Sequence, residues 1–141
     1  MQTCKLTFDA KAGSLDLILT ARLDDQIIFK GSLAQDFQNI SYEFNDDDGD
    51  HLLELEMSGK TIDHTIIDSQ QIISDHVITI ENVSFDKIPL GYVFTKLSEY
   101  HHDFNGTQNS TVEKFYSVMG CNGTVRLKFT TPLYLWLLEN M

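Results

Sequence analysis

The run Asn45-Asp-Asp-Asp-Gly-Asp50 is the densest set of hard oxygen donors in the chain. Carboxylate and carbonyl oxygens are what calcium takes, so Asp46, Asp48 and Asp50 are the candidate metal ligands. The helical calcium loop is excluded by register. With Asp46, Asp48 and Gly49 in its third, fifth and sixth positions, Phe44 falls at the first and Leu55 at the twelfth, where oxygen ligands are required. The competing reading is a solvated hairpin turn, because Asn, Asp and Gly tolerate turn geometry and bond to their own backbone.

The histidines sit in Asp50-His51, Asp63-His64, Asp75-His76 and His101-His102-Asp103. Imidazole beside carboxylate suits metal binding or general-base chemistry. Adjacent residues of a strand face opposite ways, however, so such neighbours do not share a site. No His-x-His, Cys-x-x-Cys or Gly-x-Ser-x-Gly spacing occurs. Gly59-Lys60-Thr61 matches only the end of a phosphate loop and follows a strand. No catalytic residue is predicted, and the chain is expected not to be an enzyme.

Aromatics crowd residues 86–117: Tyr92, Phe94, Tyr100, Phe104, Phe115 and Tyr116. Sugar C–H faces pack on such rings, so they are candidates for glycan stacking. The competing and plainer reading is that these rings fill a core or a subunit interface. Pro89 and Gly91 punctuate the stretch, and long segments without a period commonly carry function.

The elements that position these groups are strands. Leu15, Leu17, Leu19, Ala21 and Leu23 alternate with polar residues across 14–23, broken only by Ile18. The same two-residue period runs through Cys4/Leu6/Phe8, Ile40/Tyr42/Phe44, Leu53/Leu55/Met57, Ile78/Ile80 and Val125/Leu127/Phe129. One dry face and one wet face mark antiparallel strands, and several of them make a sandwich. Strands are expected over 2–9, 14–23, 26–32, 39–44, 51–58, 77–85 and 124–130, with a tight hairpin at Asp24-Asp25. Thr131 and Pro132 then open a terminal helix in which Leu133, Trp136 and Leu137 share a face. The expected fold is an all-β, antiparallel, jelly-roll-like β-sandwich with a short C-terminal helix, as one domain over 1–141.

A formal charge of −11 repels phosphate and anionic lipid, so neither nucleic acid nor membrane is an expected partner. The N-terminus shows no basic segment followed by an apolar one, which points to synthesis in a cytoplasm. Cys4 falls on the apolar side of its strand and reads as a buried thiol.

Three segments together resemble a known group: His51-Leu-Leu-Glu-Leu-Glu-Met-Ser-Gly-Lys-Thr61 with Asp63-His64-Thr65, then Asp75-His-Val-Ile-Thr-Ile80, and Gly120-Cys-Asn-Gly-Thr-Val-Arg-Leu-Lys-Phe129 with Pro132–Glu139. They are similar to small β-sandwich virion proteins of tailed bacteriophages of aquatic bacteria, including cyanophages, over roughly residues 40–139. Val125 stands where that pattern carries Trp, and Tyr100-His-His-Asp-Phe104 replaces a Pro- and Tyr-rich stretch. The resemblance implies a fold similar to jelly-roll, calcium-dependent xylan-binding modules. It implies a non-enzymatic structural protein of the virion, in the tail, baseplate, neck or fibre or decorating the head. Such a protein would be oligomeric and docked on other virion proteins through residues 86–117. The alternative is a carbohydrate-binding module for host-surface glycans. There Tyr92, Tyr100, Phe104 and Tyr116 stack on sugar, and Asp46, Asp48 and Asp50 hold calcium as the one candidate cofactor.

Overall fold

The computed structural model describes residues 3–13, 15–46, 49–60, 65–68, 71–75, 77–102 and 111–140, with 65–68 and 71–75 described by backbone alone. Its strands are β1 (Thr3–Ala12), β2 (Ile18–Leu23), β3 (Gln26–Ser32), β4 (Gln38–Asn45), β5 (Gly49–Ser58), β6 (Thr65–Asp68) and β7 (Gln71–Asp75). They continue with β8 (Ile78–Phe85), β9 (Ile88–Pro89), β10 (Glu99–His102), β11 (Thr111–Lys114), β12 (Val118–Met119) and β13 (Gly123–Thr131). Two helices, α1 (Tyr92–Leu97) and α2 (Leu133–Asn140), complete the described elements.

Alternation becomes architecture directly. Sheet A runs β12-β8-β1-β4 with β9 added to β8, and sheet B runs β11-β10-β13-β5-β2-β3. The pairings within them are antiparallel. Cys4, Leu6, Phe8, Ala10 and Ala12 point from β1 into the same core that Leu53, Leu55 and Met57 enter from β5. Fully burying one such Leu or Phe stabilises the fold by about 1.5–3 kcal/mol, so this face decides the register. β6 and β7 form a separate two-stranded ribbon, where the sequence shows no clean alternation.

The expected elements hold with shifted ends. β1 extends to Ala12, and the strand expected from residue 14 begins at Ile18, leaving Leu15 71% exposed. Asp24 and Asp25 both adopt left-handed backbone, the mirror-image turn whose twist matches flanking strands. Leu133, Trp136 and Leu137 do share the buried face of α2. The helix cap differs from the expected one. Thr131 ends β13, and the Leu133 N–H donates instead to Asp46 Oδ1 at 2.8 Å. Trp136 closes one end of the sandwich, edge-on to Phe85 and 6.0 Å from Phe129.

Candidate functional site

Residues 86–95 and Ser117 flank β8 of sheet A and build a cleft of about 340 Å³ there. Asp86 and Lys87 take left-handed backbone and turn β8 back into β9, where Phe85 pairs with Ile88. Gly91 then opens α1 at φ 54 and ψ −128, a conformation costly for any residue with a Cβ. On the far side the Ile80 N–H donates to the Ser117 carbonyl at 2.8 Å, and Val118 pairs with Thr79. The cleft lies between these arms, lined by Glu81, Asn82, Pro89, Gly91, Tyr92, Thr95 and Ser117 over a floor of Ile80, Val83 and Phe94.

Its rim is an aromatic ring. Tyr92 is 71% exposed although it sits at the start of a helix whose next two residues, Val93 and Phe94, are buried. Three lining residues, Asn82, Gly91 and Ser117, hold backbone of positive φ. For the two that carry a Cβ, Asn82 and Ser117, such backbone persists where surrounding structure fixes it, and it clusters at binding sites. Asn82 is fixed from below. Its Nδ2 donates to Asp9 Oδ2 at 2.9 Å, while Asn39 Nδ2 donates to Asp9 Oδ1 at 3.0 Å. These two amides hold the Asp9 carboxyl below the usual carboxylate range. The site therefore offers a ring face, a carboxylate, amide and hydroxyl groups, and a shallow apolar floor. That is the equipment for holding a polar ligand with one apolar face.

The six expected aromatics divide. Tyr92 rims the cleft, Phe94 is in its floor, and Tyr116 is 70% exposed without lining it. Phe94, Tyr100 and Phe115 are buried core residues, with Phe115 edge-on to each of the other two at 6.0 Å between centroids. Tyr100 Oη accepts from the Cys121 N–H at 2.9 Å and donates to the Cys121 carbonyl, and burial pushes its pKa up. Tyr100 thus serves packing, and a stacking role for it would require the core to open. Phe104 lies outside the described residues. Asn82 and Ser117 escape sequence reading, because a left-handed Asn or Ser leaves no periodic signal.

The acidic turn is likewise divided. Asp46 caps α2, whereas Asp50 lines a second cleft with Asp24, His51, Lys128 and Trp136. Asp48 lies outside the described residues. Among the described residues no three Asp, Glu, His or Cys side chains gather as a metal would need. His51 and His102 pair with residues other than their sequence neighbours, while His64, His76 and Asp103 lie outside the described residues. His51 Nδ1 lies 2.6 Å from Asp24 Oδ2 and its Nε2 3.0 Å from Thr131 Oγ1, while His102 Nε2 lies 2.9 Å from Glu113 Oε2. In the second cleft the rings of Phe129 and Trp136 are almost wholly buried, whereas Tyr92 stands exposed at the first.

No family model matches the chain, and no curated protein matches it. Solved structures do. A selenomethionine form of vCBM60, from work on circular permutation between two families of calcium-dependent carbohydrate binding modules, overlays with a TM-score of 0.59 at 8% identity, covering 88% of this chain and 89% of its own. vCBM60 in complex with galactobiose overlays with a TM-score of 0.57 at 9% identity, covering 87% of this chain and 96% of its own. At such identities the likeness establishes the fold: a jelly-roll β-sandwich of the kind these modules have.

Proposed function

We propose that this chain is a non-catalytic carbohydrate-binding module that holds a glycan in the cleft beside Tyr92. The observation that carries the reading is the exposed Tyr92 ring standing over a cleft lined with Glu81, Asn82, Thr95 and Ser117. A sugar ring has an apolar C–H face for the tyrosine and a hydroxyl edge for the amide, carboxylate and hydroxyls. The sandwich neighbours support it, since both solved structures are carbohydrate binding modules and one holds galactobiose. A cleft of about 340 Å³ suits one or two sugar units.

Calcium has no fitting ligand set among the described residues. Asp46 is engaged by the backbone of α2 and Asp50 belongs to the other cleft. A glycan array run with and without chelator tests the reading. Signal for one class of oligosaccharide, lost in Tyr92→Ala, supports it. Silence across the array in calcium and in chelator overturns it.

A second reading, docking on other virion proteins, draws on the outer face of α2. Tyr134, Leu135 and Leu138 are exposed there on a helix that is apolar nearly all round. We place the module on a phage particle on the strength of the sequence resemblance. Finding the chain in purified particles by mass spectrometry tests that location.

A further inference from the structure

We infer that the Tyr92 cleft selects its ligand by charge, taking glycans with a protonated amine over neutral ones and rejecting uronic acids. The inference rests on the carbohydrate reading of that cleft. Glu81 is the one charged residue in its described lining. It is exposed, and it makes no ion pair among the described residues.

Its surroundings sharpen the effect. β1 and β8 place Asp9 directly opposite Glu81, so two carboxylates share one row of the outer sheet A face. Like charges directly opposite each other repel, where an opposite charge would attract. The next same-face cation along β1, Lys11, carries its ammonium 4.5 Å above the Phe37 ring instead of leaning on this pair. Asp9 is relieved by two amide hydrogen bonds, from Asn39 and Asn82. Among the described residues Glu81 receives no such relief. An ammonium held over the Tyr92 ring would supply the missing counter-charge to Glu81, with its donors matched to the carboxylate oxygens. A ligand carboxylate in the same place would face Glu81, Asp9 and the −11 of the whole chain.

The test compares the binding of a glucosamine oligomer, its N-acetylated counterpart, galactobiose and an oligogalacturonate to the purified full chain. It is run at about pH 6, where an α-amino-type group keeps its proton, by calorimetry. An exposed charge contact gives about a five-fold preference for the amine over the N-acetyl form, shrinking between about 0.05 M and 0.5 M salt. Glu81→Gln removes that preference, bringing the amine and the N-acetyl form to equal affinity. Equal affinities, a preference for the uronate, or a preference that survives Glu81→Gln overturns the charge selection and leaves the carbohydrate reading standing. Failure of all four saccharides to bind overturns both.

Discussion

Lys60 and Asn122 bond to each other in both directions. The Lys60 N–H donates to Asn122 Oδ1 at 2.9 Å, and Asn122 Nδ2 donates to the Lys60 carbonyl at 3.0 Å. The Lys60 ammonium, on a side chain that is almost wholly buried, reaches the Gly120 carbonyl at 2.5 Å. The turn after β5 is thereby fastened to the turn before β13. Gly59 belongs to the same joint: its φ is 89, and a Cβ there would meet the Asp16 carbonyl at 2.3 Å. Gly-Lys and Asn-Gly, distant in sequence, are two halves of one clasp.

Asn122→Ala is expected to destabilise the fold by about 2–4 kcal/mol, because a buried backbone donor and acceptor both lose this partner. Asn122→Asp keeps the acceptor and should lose less. Urea unfolding followed by circular dichroism checks the order of the three proteins. Equal midpoints for wild type and Asn122→Ala would show the clasp to be without consequence.

Tyr92→Ala should weaken glycan binding by about tenfold, or about 1.4 kcal/mol, while the melting temperature stays nearly unchanged, since the ring is exposed. Tyr116→Ala, equally exposed but outside the cleft lining, should leave affinity alone. Calorimetry on both variants separates a specific platform from general stickiness.

The two thiols should differ in reactivity. Burial, followed by the neighbouring Asp46 and Asp86, pushes the Cys4 pKa up to about 12. At mildly alkaline pH, iodoacetamide should label Cys121 and spare Cys4 in the native chain, and label both in urea. The raised value also has a stability sign. Its contribution is complete below the unfolded thiol pKa of 9.0 and is lost as pH rises through about 12. Cys4→Ala should flatten that alkaline decline. Peptide mapping and pH-dependent melting are the measurements.

Asp9 works on the acid side. Asn39 and Asn82 hold its carboxyl low, so its contribution is present above the ordinary carboxylate range and lost as pH falls through the lowered value. Asp9→Ala should flatten the acid limb of the stability curve. It should also weaken glycan binding several-fold, because Asn82 loses the acceptor that aims it. Melting curves and calorimetry across acid pH read the two effects separately, and an unchanged acid limb would argue against the linkage.

Most of the fold is legible in the sequence because burial is periodic. Leu17, Leu19, Ala21 and Leu23 are all inside, as alternation requires. Leu15 fits the same period but lies outside β2, since alternation cannot say where a strand starts. The site is far less legible. Aromatic composition points to the right segment, yet it cannot separate the exposed Tyr92 from the buried Phe94, Tyr100 and Phe115. That separation depends on which ring the α1 turn carries inward. Asn82 and Ser117 depend on backbone angles that residue type suggests only weakly. The His51–Asp24 pair joins strands that are adjacent only once sheet B exists.

Sheet B places β13 between β10 and β5. On the ribosome, β5 and its apolar Leu53, Leu55 and Met57 emerge long before the strand that covers that flank. The sheet cannot close until β13 is out, and a nascent or cut chain lacking β13 presents β5 with a bare row of backbone donors and acceptors. Synthesis of this protein thus carries a window in which chaperones, or another copy's loose strand, compete for the place β13 will take.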